Sequence, residues 1–125
     1  MTNPFPKRVR LLRAVEFERV FAGRASAVDS SIALHGAANE LGHPRLGLVV
    51  SRRVGNAVGR NRWKRLLREA FRLTQSELPA LDLVCIPRAK APPTLAVLQQ
   101  SLQELASRIE RKTGDAAQRS ARKTP

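Results

Sequence analysis

The stretch Arg52–Arg72, RRVGNAVGRNRWKRLLREAFR, constrains the chain more than any other. Trp63, Leu66, Leu67, Ala70 and Phe71 recur at i, i+3, i+4, i+7 and i+8, the spacing of one apolar face on an α-helix. At about 100° per residue, Asn61, Lys64, Arg65, Arg68 and Arg72 project from the opposite arc. Arg60 and Arg62 flank the apolar face on its two sides. Asn56 stands where an N-cap belongs, so a helix is predicted from near Ala57 to about Leu73. A fold that accepts this helix buries one side in a core and turns the other, dense with cations, toward something anionic.

Arg52, Arg53, Arg60, Arg62, Lys64, Arg65, Arg68 and Arg72 face a lone Glu69, so more than half of the net charge of +13 sits in this stretch. The segments on either side, Ala25–Ser51 and Leu73–Ser107, are slightly acidic; the two ends are basic again. Clustering of this kind suits a polyanion. No apolar run reaches the length of a membrane-spanning helix, and the apolar face of the basic helix is too short and interrupted for a membrane anchor. Nucleic acid is therefore the expected partner. The single Cys85 lies in an apolar run, which excludes a disulfide framework and fits a small buried hydrophobe. The start, MTNPFPKRVRLLR, has no apolar signal core with a cleavage site, and a cytoplasmic location is expected.

Residues 1–112 read as one domain with a basic N-terminal arm, and 113–125 as a basic tail without periodicity, disordered in isolation. Lys7, Arg8, Arg10 and Arg13 in the arm fit either phosphate contacts or a frayed, solvated terminus. Ala14–Ala22 is predicted as a short helix with Phe17, Val20 and Phe21 on one face, no good N-cap, and Gly23 at its end. Its two phenylalanines fit either a core or the edge of a groove where bases stack. Ser30–Gly36 is predicted as a strand with a wet face of Ser31, Ala33 and His35. His35 has no metal-ligating companions and reads as a groove or surface residue. Ala37–Pro44 is a loop, and Arg45–Arg53 a second strand. Leu81–Pro87, LDLVCIP, is almost wholly apolar and so a central strand. Thr94 caps a last helix with a seam of Leu95, Leu98, Leu102, Leu105 and Ile109. The order helix, strand, strand, helix, strand, helix makes an α/β (α+β) two-layer sandwich on a small mixed sheet.

The ten carboxylates are scattered, and no pair has a spacing that demands a shared metal. Glu69 reads as a counter-ion of its arginine neighbours. GNAVGRNR lacks the Gly-Lys-Ser/Thr ending of a phosphate-binding loop. No catalytic residue and no metal site is assigned to the chain; it reads as a nucleic-acid binder. Arginine dominates the basic stripe, as suits bidentate phosphate contacts. A strand precedes the basic helix where a helix-turn-helix would need a helix. A basic helix beside a small-residue sheet face and a phenylalanine-bearing helix points to RNA, structured and single-stranded.

GNAVGRNRWKRLLREAFR closely resembles the signature of the protein subunit family of bacterial ribonuclease P. That signature is an Arg-Asn-Arg core, then Lys-Arg, then an Arg-rich helix with an apolar face. Here these are Arg60-Asn61-Arg62, Lys64-Arg65 and Arg68-Glu69. EFERVFAGR is similar to the family's first helix, LGLVVSRRVGNAV to its strand and turn, and LDLVCIPR to its later strand; the resemblance spans roughly residues 7–110. It implies three helices on a mixed sheet, with a left-handed crossover between parallel strands through the basic helix, against the general handedness rule. It also implies the protein component of an endoribonuclease that removes the 5′ leader from precursor tRNA. The partners would be a catalytic RNA subunit, which holds magnesium and does the chemistry, and precursor tRNA, with no membrane and no small-molecule substrate. Arg60, Asn61, Arg62, Lys64, Arg65 and Arg68 would face RNA, with Arg52, Arg53 and Asn56 extending that surface. Phe17, Phe21 and Ser51 would line a cleft for the leader. Some members carry a tyrosine where this chain has His35. Two other readings stay open on composition alone: a general RNA-binding protein of ribosomal type, and a nuclease in its own right.

Overall fold

The helical and alternating patterns resolve into three helices and four strands in a computed structural model that describes residues 6–123, with 115–123 described by backbone alone. The elements are α1 (Ala14–Ala22), β1 (Ala25–Val28), β2 (Ile32–Ala38), β3 (Arg45–Leu48), α2 (Ala57–Thr74), β4 (Leu81–Pro87) and α3 (Leu95–Lys123). The sheet order is β1-β2-β4-β3, with β1/β2 and β2/β4 antiparallel and β3/β4 parallel. The apolar run LDLVCIP is thus an interior strand with a partner on each side, as its composition requires. The parallel β3–α2–β4 unit passes through the basic helix.

One face of the sheet carries Ile32, Leu34, Leu46, Leu81, Leu83 and Cys85, all buried. Against it pack Trp63, Leu67, Ala70 and Phe71 of α2 and Leu98, Leu102, Leu105, Ala106 and Ile109 of α3. Each of the leucine, isoleucine and phenylalanine side chains contributes about 1.5–3 kcal/mol by burial. The Trp63 indole N–H, which needs a partner in this core, donates to the carbonyl of Ala89 at 3.1 Å. The seam predicted from Thr94 onward is therefore core, and the Thr94 hydroxyl accepts the N–H of Val97 at 3.3 Å.

The other face is covered only in part. Val20 of α1 is fully buried there, against Val84 and Leu11, with Phe17, Ala37 and Ile86 half-buried around them. The arm is docked from Lys7 onward. Val9 and Leu11 are buried, and the N–H of Leu11 donates to Leu46 at 3.0 Å beside the edge of β3. The frayed reading of the arm does not hold for this part of it; Met1–Phe5 lie outside the described residues.

Five local expectations need correction. β1, ASAV, was not foreseen, because Ala and Ser carry little strand propensity. β2 takes in the first two residues of the expected loop, Ala37 and Ala38. β3 ends at Leu48 instead of Arg53: the Ser51 hydroxyl accepts the N–H of Arg53, and a 3-10 turn forms over Arg52–Val54. Such local hydrogen bonds compete with a ladder. At the end of α1 the left-handed residue is Arg24 (φ 57°), while Gly23 stays helical. Finally, α3 continues through Thr113 to Lys123, where a disordered tail was expected. Ala, Arg, Gln and Lys are good helix formers, and extending a docked helix avoids the cost of nucleation.

Candidate nucleic-acid interface

The basic helix starts where its cap allows. Gly55 takes φ 143°, a conformation that side chains resist, and turns the chain so that the Asn56 Oδ1 accepts the N–H of Gly59 at 3.0 Å. From there the apolar stripe fixes the rotation of α2. Asn61, Arg62, Arg65 and Arg68 are exposed, and Arg60 and Lys64 are half-buried at the borders. Ser51, Arg52, Arg53 and Asn56 are exposed in the preceding turn, with the Asn56 Oδ1 taken up by the cap. Among the described residues, Arg19, Arg45 and Arg72 form ion pairs, and none of these pairs reaches the other cations of α2 or its preceding turn. Arg52, Arg53, Arg60, Arg62, Lys64, Arg65 and Arg68 thus have no carboxylate partner. Glu69 pairs with Arg72, as its place among arginines foretold, and the Arg72 hydrogen bond holds its carboxyl below the usual range. A row of cations without counter-ions is the arrangement that phosphates neutralise.

The half-covered sheet face forms a cleft beside α1. Ser26, His35, Val84 and Gly47 lie in one row across the four strands, with Ala33 and Ile86 in the next. Phe17 lies directly on Gly47: a Cβ there would come within 2.6 Å of the ring. Phe21 is 39% exposed and meets the His35 ring edge-on, with centroids 5.0 Å apart. Burial pushes the His35 imidazole below its ordinary value, so it is neutral at pH 7. His35 is thus part of the cleft wall, an apolar-flanked ring with a hydrogen-bonding edge.

Two recesses join this cleft to the cationic surface. One is lined by Arg10, Leu11, Leu12, Phe17, Leu46, Gly47, Leu48, Lys64 and Arg68. The other is lined by Ser51, Arg53, Val54, Ile86, Pro87 and Arg88. The fold therefore brings Phe17 together with Lys64 and Arg68, and Ser51 together with Arg53. Arg60, Asn61, Arg62 and Arg65 line neither recess and lie on the more open part of α2. Arg88 was not foreseen as a groove residue; its position one residue past an interior strand is the signal that places it here.

Sequence reasoning missed a charged cluster at the other side of α1. Asp82, inside the apolar run of β4, is fully buried. The Arg45 guanidinium donates to both of its oxygens, Nε to Oδ1 and Nη2 to Oδ2, each at 2.7 Å. The Asn39 amide donates to Oδ1 at 2.9 Å, and Arg19 donates to Oδ2. Arg45 also donates to Glu16 at 2.8 Å, and Arg19 to the carbonyl of Ala38 at 3.0 Å. The other Glu16 oxygen accepts the N–H groups of Leu12 and Arg13, each at 3.0 Å. This is the cap that α1 lacked in the sequence: N3 supplies it in place of the N-cap residue. Burial works against the charge of Asp82, but the hydrogen bonds from Arg45 and Asn39 and the charges of Arg45 and Arg19 outweigh it, and its carboxyl titrates below the usual range. Glu16 is held low by the same two backbone N–H groups and by Arg45. Among the described residues, no three His, Cys, Asp or Glu side chains converge as metal ligands would.

Residues 5–120 match the family described as Ribonuclease P. Over 85 residues the chain is 47% identical to the ribonuclease P protein components of Serratia proteamaculans and of Escherichia coli, covering 67% of this chain and 71% of each relative. The fold is similar to that of the RNase P protein from Staphylococcus aureus, at TM-score 0.68 and 33% identity, over 78% of this chain and 91% of that one. It is equally similar to the RNase P protein from Thermotoga maritima, at TM-score 0.68 and 28% identity, over 76% of this chain and 96% of that one.

Proposed function

This chain belongs to the ribonuclease P protein family, and we propose that within that tRNA-processing endoribonuclease it is a binder of RNA, with the chemistry left to the RNA subunit. Its role is that of the family, maturation of the 5′ end of tRNA together with an RNA subunit. In this reading the bond-breaking step takes place on the RNA subunit with magnesium held there. The chain supplies two surfaces. The cations of α2 and its preceding turn (Arg52, Arg53, Arg60, Arg62, Lys64, Arg65 and Arg68, with Asn56 and Asn61) contact the phosphates of that RNA and of the substrate near the cleavage site. The cleft edged by Phe17 and Phe21, with Ser51 at its far end, takes the single-stranded 5′ leader of precursor tRNA.

The observation that carries this reading is the continuity of the two surfaces. Phe17, whose half-buried ring lies on Gly47, shares a recess with Lys64 and Arg68, which have no carboxylate partner among the described residues. Single-stranded RNA is recognised by this pairing of aromatic stacking with cations along the backbone. No described helix is long and apolar enough to cross a membrane, and the cytoplasm, where precursor tRNA is made, is the place for this work.

Reconstitution tests the proposal. The purified protein is mixed with a bacterial ribonuclease P RNA at low magnesium, and cleavage of a precursor tRNA with a leader of several nucleotides is followed. Restored cleavage with the protein, and none by the protein alone, supports it. Cleavage by RNA-free protein would move the chemistry onto this chain. Tight RNA binding without restored cleavage would favour the general RNA-binding reading.

A further inference from the structure

α1 meets the sheet through Val20 and, to one side of it, through Phe17 on Gly47 and Phe21 against His35. Of its nine residues only Val20 is fully buried. Seen down the helix axis, Phe17 and Phe21 lie about 60° and 100° to one side of Val20, and Glu16 and Arg19 about 40° and 100° to the other. The apolar contacts thus lie at Val20 and on one side of it, and a roll of the helix about Val20 would raise or lower the two phenylalanine rings over the sheet. On the side away from the rings, Glu16 and Arg19 are tied to the cluster around Asp82: Arg19 to Asp82 and to the Ala38 carbonyl, Glu16 to Arg45, and Arg45 bidentate to Asp82. The anchors come from the end of β2, from β3 and from β4, so they belong to the rigid sheet. The cluster touches none of the cations of α2.

We infer that Glu16, Arg19, Arg45 and Asp82 form a positioning device that fixes the roll of α1 and thereby the height of the Phe17–Phe21 edge above the sheet, tuning affinity for the 5′ leader and not affinity for the RNA subunit. The inference rests on the reading of the cleft given above. These residues are positioning residues, since they act through Phe17 and Phe21 and line neither of the two recesses. The chemistry suits the task. A bidentate guanidinium–carboxylate pair is directional, and a buried carboxylate held by several hydrogen bonds favours one arrangement of its partners. The apolar contacts lie on one side of α1 only, and the cluster supplies the restraint on the other.

The test uses the reconstituted holoenzyme and two precursor tRNAs, one with a five-nucleotide leader and one with a single leader nucleotide. Arg19→Gln is the main variant, because Arg19 is 46% exposed and its loss leaves Arg45 on Asp82; Asp82→Asn is the second. The expected result is a loss of about tenfold in the affinity gained from the long leader, with binding to the RNA subunit and the saturated cleavage rate unchanged. In a background carrying both Phe17→Ala and Phe21→Ala, Arg19→Gln should cost little more, because the rings it positions are gone. A merely structural cluster would give additive losses, and equal weakening toward leader and RNA subunit; either result overturns the inference. Should Phe17→Ala weaken leader binding while Arg19→Gln does not, the positioning role falls and the cleft reading stands. Should Phe17→Ala leave the leader gain intact, the cleft reading falls, and the positioning role with it.

Discussion

Two arginine-bearing regions of this molecule treat charge in opposite ways. Around Asp82, two guanidinium groups meet two carboxylates, and every contact is internal. Along α2 and its preceding turn, seven cations have no carboxylate partner among the described residues. The first region lies under α1 and closes on itself; the second lies on the surface and is left open. Residue type does not distinguish them, since arginine and carboxylate occur in both. What separates them is where the acid sits. Asp82 is in the interior strand of the sheet, where an ion must recruit partners, whereas Glu69 is on the solvated side of a helix and neutralises only Arg72. A charge inside the fold gathers the fold around it, and a charge outside waits for a ligand.

The largest contrast is expected in stability. Asp82→Ala leaves Arg45 and Arg19 without their shared carboxylate and should cost about 1.5–3 kcal/mol, the range of hydrogen bonds to a charged group, because Arg45 keeps Glu16 and Arg19 is partly solvated. Arg65→Ala on the open stripe should stay within about 0.5 kcal/mol of wild type. Chemical denaturation of the two variants measures both values. Similar losses would mean that the α2 stripe is also part of the folded scaffold.

Acid should separate the regions next. Asp82, Glu16 and Asp29 all titrate below their ordinary values in the folded chain. A lowered folded-state value means that the unfolded chain binds protons first, so the stabilisation is complete above the ordinary carboxylate range. It is lost as the pH falls through that range and below it. His35, lowered by burial, adds a shallower slope of the same sign just below its usual imidazole range. Unfolding followed from pH 7 downward should show this acid limb, and Asp82→Asn should flatten it. An unchanged limb in that variant would place the proton-linked stability elsewhere.

Much of this molecule was legible in the sequence. The bounds of α1 and β4, the cap at Asn56 and the burial of the Leu98–Ile109 seam followed from period, cap chemistry and apolar content. The cations of α2 followed from the same period, because a helix has one rotation that buries Trp63 and Phe71. The cluster at Asp82 was not legible. Its members are separated by up to 66 residues in the chain, from Glu16 to Asp82, and only the pairing of β4 with β2 and β3 brings them under α1. β1 was hidden because ASAV has no alternation strong enough to announce a strand, and the early end of β3 because a serine hydroxyl takes a backbone N–H that a ladder would have used.

Salt provides a finer discrimination. If Arg60, Arg62, Lys64 and Arg65 each meet a phosphate, replacing any one by Ala should weaken binding to the RNA subunit and lower the log–log salt slope by about one unit at most. Arg45→Lys, inside the buried cluster, should leave that slope unchanged. Binding titrations at several potassium concentrations measure both. A slope change for Arg45→Lys equal to that for Arg62→Ala would erase the distinction between the two regions.

The smallest expected effect is the one that asks whether the open stripe is as open as it can be. Glu69 is the lone acid within it and is tied to Arg72 three residues on. Glu69→Gln keeps the shape of the side chain, removes the negative charge and leaves Arg72 without a counter-ion. Exposed pairs of this kind contribute little to folding, so the melting temperature should hardly move. The field along α2 gains one unit of positive charge, and RNA-subunit binding should tighten slightly at low salt, with the advantage fading as the Debye length shrinks toward a few ångströms at high salt. A clear loss of RNA affinity would show that Glu69 orders Arg72 for a contact of its own. The stripe would then be a pre-arranged surface, closer in kind to the Asp82 cluster than a simple row of cations is.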